Sequence, residues 1–165
     1  MTDEQPTLHL ICGKIASGKS TLAAELGRGT RSVVIAEDDW LNALFSTELS
    51  TIADYARCTA KLRHAIGPHV VSLLQAGIPV VLDFQANTLE ARNWMRSLIA
   101  QSNARHQLHV LDVPDDICLQ RLRARNAQGD HPFAVTEEQF ALVTRHYLVP
   151  TPDEGFTIIR HSVAD

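Results

Sequence analysis

The sequence has few cysteines, no recognisable metal-binding pattern and no strong excess of charge. Its three cysteines are odd in number and include no CxxC spacing, so we predict buried thiols rather than a disulfide framework or a zinc site. The eight histidines are scattered and form no HExxH pattern. The net charge of −4 offers no general attraction to a polyanion, which argues against a general nucleic-acid-binding protein.

Long apolar runs are missing as well. The longest apolar stretches are far too short to cross a bilayer, and residues 1–10 lack a basic region followed by an apolar run. We therefore expect no signal peptide, no membrane contact and a cytoplasmic location. Hydrophobic residues make up 45% and charged residues 21% of the chain, which is typical of a globular protein. No repeat or linker divides the sequence, so residues 1–165 are predicted to form one domain.

Apolar runs that indicate strands alternate five times with segments that have helical spacing of apolar residues. This alternation predicts an α/β protein in which a five-stranded parallel sheet lies between two layers of helices. In such sheets, ligands bind at the carboxyl ends of the strands. The polar segment 127–135 predicts a loop. The predicted strands are 8–12, 32–36, 79–83, 107–112 and 156–160, and the predicted helices are 20–26, 38–45, 51–75 with an interruption at 67–68, one starting at Asn87, 114–126 and 136–147.

Residues 13–20, with the sequence GKIASGKS, match the phosphate-binding pattern GxxxxGK[ST] in full and lie between the first predicted strand and helix. Glycines allow the backbone to curl so that successive N–H groups point at one anion, and the helix adds its positive dipole end. We predict that Lys19 places a cation between the β- and γ-phosphates of ATP and that the Ser20 hydroxyl binds Mg²⁺. The alternative is a chance match, against which the position between strand and helix argues. The predicted nucleotide-binding residues are Gly13, Lys14, Ile15, Ala16, Ser17, Gly18, Lys19, Ser20 and Thr21.

Carboxylates follow two of the predicted strands. Glu37, Asp38 and Asp39 come directly after the second strand, where a carboxylate suits a base that takes a proton from an attacking hydroxyl. Asp38 is the candidate base, but the sequence leaves Asp39 open for this role, and helix capping is the alternative for either. Asp83 ends the third strand in the Walker B arrangement, in which the carboxylate holds magnesium directly or through water. A carboxylate that caps a loop is the alternative reading of Asp83.

Two absent features narrow the class of nucleotide-binding protein. Motor-type and AAA+ ATPases usually carry a glutamate after the Walker B aspartate, but Phe84 occupies this position, which disfavours fast ATP hydrolysis. The guanine-reading motif NKxD is also absent, which disfavours a GTPase.

Arginines precede the polar segment 127–135. Arg121 and Arg125 are four residues apart and therefore share one face of the predicted helix. Two guanidinium groups on such a segment are suited to stabilising the charge of a transferring phosphoryl group. A solvated basic face is the alternative. Arg92, just after the Asn87 turn, is a further candidate of the same kind.

The segments GKIASGKS, EDDW and VVLDFQAN, followed by the arginine-rich segment, resemble P-loop kinases related to polynucleotide kinase and the zeta toxins, and especially small bacterial AAA-domain ATP-binding proteins. The resemblance covers nearly the whole chain and implies a P-loop NTPase fold with a helical lid at about 127–135. It implies that Asp38 activates the hydroxyl, that Asp83 is the acidic residue ending strand three, and that Arg121 and Arg125 are lid arginines. One position departs from the pattern, because Leu41 stands where polynucleotide kinases have an arginine that grips the substrate phosphate.

These observations predict an ATP- and Mg²⁺-dependent kinase that phosphorylates the hydroxyl of a small molecule. Leu41 and the negative net charge make a polynucleotide acceptor unexpected. The acceptor pocket is predicted to be lined by Trp40, Phe45, Tyr55 and residues 84–88. Two alternatives stay open, namely a nucleotide-dependent switch or slow NTPase without phosphotransfer, and a 5′-hydroxyl polynucleotide kinase. The sequence does not name the acceptor, and it is compatible with a monomer or a homodimer.

Overall fold

The computed structural model describes residues 4–129 and 134–163. Five strands and six α-helices lie along this part of the chain, with two helices in succession after the second and after the fourth strand and a short 3₁₀-helix at Pro152–Glu154 before the last strand. The strands are β1 (Thr7–Cys12), β2 (Val33–Ala36), β3 (Val80–Gln85), β4 (Arg105–Asp112) and β5 (Ile158–Ser162). The helices are α1 (Lys19–Thr30), α2 (Glu37–Phe45), α3 (Ile52–Gln75), α4 (Leu89–Ser102), α5 (Asp115–Gln128) and α6 (Glu137–Arg145).

All five strands are parallel and form one sheet in the order β2-β3-β1-β4-β5. The central strand β1 sends alternate side chains to two apolar layers. Leu8 and Leu10 join the main core with residues of α3 and α4, whereas Ile11 packs with Ala23 of α1 and Val81 of β3. Because helices cover both faces of the sheet, β1 and β3 are mostly apolar, whereas β4 and β5 include several polar residues. The structure confirms the predicted three-layer α/β architecture with a five-stranded parallel sheet.

The strand order creates a crevice at the carboxyl end of β1. β1 pairs with β3 on one side and with β4 on the other, so the connections that leave these strands diverge around it. The loop between β1 and α1 opens on this crevice, and so do the segments that follow β2 and β3. The chain therefore brings residues that are far apart in sequence to one edge of the sheet.

α1 is longer than predicted and continues past Gly27 to Thr30. Gly27 lies just after the predicted helix 20–26, and its lack of a side chain lets β2 approach closely. A Cβ atom there would clash with Cγ2 of Val34, so any other residue would force a shift. The helix instead ends with Arg31 in the left-handed conformation, at φ 53°.

α3 is continuous through Gly67 and Pro68, so the predicted interruption there is wrong. A proline inside a helix costs about 3 kcal/mol. The helix buries eight residues against the core, and each buried large apolar side chain contributes about 1.5–3 kcal/mol, so packing outweighs this cost. A Cβ atom at Gly67 would lie in ordinary van der Waals contact with Trp94 and Leu98 of α4, at 3.4 Å.

Two helix starts differ from their predicted forms. α4 is capped by Thr88, whose side chain accepts a hydrogen bond from the Ala91 amide, and not by Asn87. α2 begins at Glu37 directly after β2, with Ala36 in the cap position and no side-chain cap. Asp38 and Asp39 therefore lie in the first turn of α2, where their charge suits the helix dipole, but neither caps the helix.

The polar segment predicted at 127–135 is only partly a loop. α5 extends to Gln128 and ends with Gly129 in the left-handed conformation, at φ 69°. The remainder of the predicted lid includes positions 130–133, which lie outside the described residues. α6 starts as predicted, with Thr136 and Gln139 forming a reciprocal capping box. A lid function for this segment stays a prediction.

All three cysteines are buried and unpaired, as predicted. No helix within residues 4–129 and 134–163 combines the length and the apolar character that crossing a membrane requires.

Three histidines, which the sequence patterns did not connect, lie side by side across the sheet. Nδ1 of His9 on β1 is 3.2 Å from Nε2 of His109 on β4, whose Nδ1 is 2.9 Å from Nε2 of His161 on β5. Burial lowers the pKa of His109 to about 4 and lowers that of His9. Both rings are therefore neutral at physiological pH. Each forms a hydrogen bond to a histidine of a neighbouring strand.

Candidate functional site

The segment 13–20 forms a tightly curled loop between β1 and α1. Gly18 occupies the cap position of α1 at φ 103°, and Ala16 is also left-handed at φ 63°. Gly13 is tightly packed, because a Cβ there would lie 2.5 Å from Oγ of Ser17. This backbone places the N-terminus of α1, with its free N–H groups and positive dipole end, at the crevice. The loop has the form of an anion cradle.

Lys19 lies at the centre of this loop. Its Nζ donates hydrogen bonds to the carbonyl oxygens of Gly13 and Lys14, both at 2.7 Å. Burial lowers the pKa of Lys19 to about 8, while the negative charge of Asp83 opposes the shift. The ammonium group is thus still protonated at neutral pH, and a bound polyanion would hold it more firmly in the charged form.

Asn87 fixes the start of the loop from the other side of the crevice. Its Oδ1 accepts a hydrogen bond from the Gly13 amide at 2.9 Å, and its Nδ2 donates to the Gly13 carbonyl at 2.8 Å. Only 6% of Asn87 is exposed. Sequence reasoning treated Asn87 as a helix-start signal and missed this role. The only hint in the sequence is its position just after β3, the strand next to β1.

Ser20 and Asp83 lie close together, as the predicted magnesium site requires. Oγ of Ser20 donates to Oδ2 of Asp83 at 2.9 Å. Burial and the nearby Asp38 and Asp39 raise the pKa of Asp83, while Ser20 and Lys19 oppose the rise. Among the described residues, no cluster of three or more acidic, histidine or cysteine side chains could hold a metal. The pair fits Mg²⁺, which typically takes few protein oxygens and completes its shell with phosphates and water.

A second acidic group lies across the crevice at the start of α2. Oη of Tyr55, from α3, donates to Oε1 of Glu37 at 2.9 Å and lies 3.4 Å from Oδ1 of Asp38. Burial raises the pKa of Glu37 to about 7, although Arg63 and the Tyr55 hydrogen bond oppose the rise. Sequence reasoning named Glu37 only as a neighbour of the aspartates, because its link to Tyr55 joins separate helices.

The two predicted arginines of α5 face the crevice. Nη1 of Arg121 donates to the Ser17 carbonyl at 3.2 Å, beside the phosphate loop. Burial lowers the pKa of Arg125, and the negative charge of Asp38 opposes this shift, so these two groups act on each other across the cleft. Arg123 points elsewhere and pairs with Glu137 at an exposed position. The four-residue spacing therefore predicted two arginines that line the same cleft, and their role stays a prediction.

A cleft of about 1200 Å³ joins these parts. Almost every predicted site residue lines it. The exceptions are Gly13, which is buried, and Lys14, whose Nζ lies 2.6 Å from Oδ1 of Asp115. The lining includes Ile15, Ala16, Ser17, Gly18, Lys19, Ser20, Thr21, Glu37, Asp38, Ser50, Thr51, Tyr55, Asp83, Gln85, Asn87, Thr88, Arg121, Arg125, Gln139 and His146.

Three further expectations are wrong or only partly right. Arg92 is not available to a phosphate, because it is 1% exposed and pairs with Glu154 at 2.6 Å while it donates to backbone carbonyls. Trp40 and Phe45 do not line the cleft, since Trp40 is 41% exposed and Phe45 packs against the main core. Of residues 84–88, only the polar members reach the cleft.

A phosphate loop after the first strand, a strand-end aspartate beside its serine and a parallel sheet of this strand order define a P-loop nucleotide-binding protein with a kinase-type fold. The family model described as "AAA domain" matches residues 8–150, and the chain belongs to this family. No curated protein shows a significant match to the chain.

Solved structures confirm the fold. A candidate kinase from Chloroflexus aurantiacus superimposes with a TM-score of 0.78 at 20% identity, over 97% of this chain and 86% of that one. The APS kinase of Mycobacterium tuberculosis, solved with AMPPNP and APS, gives a TM-score of 0.65 at 21% identity over 96% and 89%. A gluconokinase from Sinorhizobium meliloti gives 0.64 at 16% identity over 98% and 85%. These similarities establish a shared fold with these solved structures.

Proposed function

We propose that this protein is a kinase that transfers the γ-phosphate of ATP, in the presence of Mg²⁺, to a hydroxyl group of a small molecule. The observation that carries the proposal is the position of Asp38 in the same cleft as the phosphate loop and the Ser20–Asp83 pair. A carboxylate there suits the activation of an acceptor hydroxyl next to the phosphate that it attacks. The names of the similar structures, which include two kinases of small molecules, support this class of reaction.

The nucleotide end of the cleft positions the phosphates. The N–H groups of the loop and of the first turn of α1 bind phosphate oxygens, and Lys19 supplies a positive charge. Its hydrogen bonds to Gly13 and Lys14 hold the ammonium group in place before the nucleotide arrives. Arg121 and Arg125 stabilise the charge that spreads over the transferring group.

Ser20 and Asp83 are the residues that would hold magnesium, which supplies positive charge between phosphate oxygens when it is bound. The 2.9 Å hydrogen bond between them keeps the two oxygen atoms that would bind Mg²⁺ close together. Both come from fixed positions, one in the first turn of α1 and the other in β3.

Asp38 accepts the proton of the acceptor hydroxyl as the oxygen attacks the γ-phosphorus. Oη of Tyr55 lies 3.4 Å from Oδ1 of Asp38, and the charges of Asp38 and Arg125 act on each other. Phe84 follows the Walker B aspartate and has no group that could activate water. This arrangement favours transfer over hydrolysis.

The test is incubation with labelled ATP, magnesium and a panel of alcohols, sugars, nucleosides and oligonucleotides. Asp38→Asn is expected to lower transfer by about 10²- to 10⁴-fold, the usual contribution of a positioned base, while ATP affinity is kept. Asp39→Asn is the matched control, because Asp39 is the exposed neighbour in the same helical turn and does not line the cleft.

The alternatives give different results. Phosphate transfer to oligonucleotides would favour a polynucleotide kinase, and ATP binding without transfer to any acceptor would favour a nucleotide-dependent switch or a slow NTPase. Either result would contradict the proposal, and so would an Asp38→Asn variant with full activity.

A further inference from the structure

Tyr55 lies where the cleft adjoins a groove between α3 and α4. It lines both, and its side chain packs against the main core. Its place at the start of α3 is fixed by a reciprocal capping box, in which the side chains of Thr51 and Asp54 each accept a hydrogen bond from the amide of the other, at 3.0 and 3.1 Å. The Tyr55 amide also donates to the Thr51 carbonyl at 3.0 Å. The start of α3 therefore presents Tyr55 to the cleft from a defined position.

The hydroxyl of Tyr55 lies between two carboxyl groups of α2. It donates to Oε1 of Glu37 at 2.9 Å, and its Oη is 3.4 Å from Oδ1 of Asp38. A tyrosine hydroxyl carries one hydrogen, so the two carboxyl groups share a single donor. Burial, together with the negative charges of Glu37 and Asp38, raises the pKa of Tyr55. The hydroxyl therefore keeps its hydrogen at physiological pH.

The carboxylate of Asp38 needs a directional contact to hold one orientation. The terminal torsion of an aspartate has a broad preference, so the side chain alone does not fix the plane of its two oxygens. A general base requires that plane to be set, because the oxygen that takes the proton must lie within hydrogen-bond reach of the acceptor hydroxyl. The charge of Arg125 attracts the carboxylate as a whole, whereas a hydrogen bond to Oδ1 acts on one oxygen.

We propose that Tyr55 is a positioning residue for the candidate base, with its hydroxyl orienting the carboxylate of Asp38 and with Glu37 holding that hydroxyl in place from the other side. This inference rests on the proposed kinase activity and adds a residue to its machinery. The 3.4 Å contact with Asp38 is longer than a full hydrogen bond. Contacts at catalytic groups are often long until the substrates bind, and then they shorten.

Tyr55→Phe removes the hydroxyl and keeps the ring that packs against the core. The assay uses the whole protein with labelled ATP, magnesium and the acceptor that gains most phosphate in the panel of alcohols, sugars, nucleosides and oligonucleotides. We expect kcat to fall by about 10- to 100-fold while ATP affinity is kept, because misplacement of a catalytic group costs a factor of this size. Tyr147→Phe is the matched control and should leave kcat unchanged, since its hydroxyl accepts from the Cys12 thiol at 3.6 Å and lies outside the described lining of the cleft.

A double substitution separates positioning from a general structural role. Tyr55→Phe is made in the unmodified protein and in the Asp38→Asn variant, and kcat is expressed per ATP-binding site, so that unfolded protein is not counted. A residue that acts through Asp38 has little left to contribute once Asp38 is changed. We therefore expect Tyr55→Phe to lower the residual kcat of Asp38→Asn by less than about twofold. General damage to the structure would lower both by the same factor.

Glu37→Gln tests the contact on the other side of the hydroxyl. The amide keeps an oxygen that accepts from Tyr55, but it loses the charge that strengthens this bond. Because the anchor is weakened and not removed, kcat of this variant should stay above that of Tyr55→Phe. Glu138→Gln, at an exposed position on α6, is the control and should match the unmodified protein.

Three results overturn the inference while the kinase proposal stands. One is full kcat in Tyr55→Phe, and another is an equal fold loss with and without Asp38→Asn. The third is a Glu37→Gln variant that loses more activity than Tyr55→Phe. If no acceptor gains phosphate from the unmodified protein, the kinase proposal itself fails and the inference fails with it.

Discussion

The two ends of the cleft are built in opposite ways. The nucleotide end is made mostly of neighbours in sequence, residues 13–20, whose backbone and Lys19 present positive charge. The acceptor end, which is the part of the cleft around Asp38, combines side chains of α2, α3 and β3, and Arg125 of α5 acts on its carboxylate. The first end is built from one local segment, and the second from side chains that lie far apart in the sequence. A reaction between a polyanion and a hydroxyl needs both, because one end must attract charge and the other must take a proton.

Substitution of Arg121 tests the nucleotide end of the cleft, and we expect a larger effect on catalysis than from the changes described next. Its guanidinium donates to the Ser17 carbonyl and faces the phosphate loop. We expect Arg121→Ala to lower kcat on the order of a hundredfold or more, because an arginine at the transferring phosphoryl group contributes strongly to rate. Arg123→Ala is the control, since Arg123 forms an exposed pair with Glu137 and should change kcat by about twofold or less. If both substitutions lowered kcat equally, the role assigned to Arg121 at the nucleotide end would be wrong.

The loop also depends on Asn87, which comes from outside the motif. Asn87→Ala removes both hydrogen bonds to Gly13 and leaves its buried N–H and C=O without these partners. We expect ATP affinity to fall by about tenfold, which corresponds to the loss of one to two buried hydrogen bonds. Titration calorimetry would measure this. Asn93→Ala, at an exposed position on α4, should bind ATP like the unmodified protein.

The buried carboxyl group of Glu37 is expected to lower the free energy of unfolding as pH rises from 4.5 to about 7. The pKa of Glu37 is raised to about 7 from 4.5, so the folded state binds more protons than the unfolded state between these values, and stability is lost as pH rises through 7. Glu37→Gln is always neutral and should be more stable than the unmodified protein above pH 7, by at most roughly 3 kcal/mol.

Urea unfolding of both proteins at several pH values gives this difference directly. The buried His109 contributes a slope of the opposite sign, since its pKa is lowered to about 4 and its stabilising effect is lost as pH falls below 6.5. That slope is common to both proteins and cancels in the comparison. A Glu37→Gln variant less stable than the unmodified protein at pH 8 would show that the charged carboxylate is well paired.

The sequence was sufficient to predict the loop at the nucleotide end, because this loop is formed by neighbouring residues. The motif at 13–20 and the alternation of strands and helices predicted a curled loop after the first strand, and the predicted magnesium site required Ser20 and Asp83 to lie close together, as they do. The same reasoning failed where a residue acts through a partner far along the chain. Asn87 resembled a helix cap, and Arg92 resembled a phosphate ligand until its burial against Glu154 was visible.

The aromatic residues show a second limit of prediction from the sequence. Trp40, Phe45 and Tyr55 all fit helical spacing, but only Tyr55 lines the cleft. The direction of each side chain depends on how α2 and α3 pack on the sheet, which spacing alone does not specify. The break predicted at Pro68 failed for a related reason, because packing of α3 outweighs its local preference.

The most direct test of the account is the affinity of a Lys19→Ala variant for ATP in the presence of magnesium. Lys61→Ala, on the exposed side of α3, serves as the control, and circular dichroism reports whether each variant is folded. We predict that folded Lys19→Ala binds ATP on the order of a hundredfold more weakly, because a charge-assisted contact to the phosphates is lost. A folded Lys19→Ala protein with unchanged ATP affinity would contradict the account.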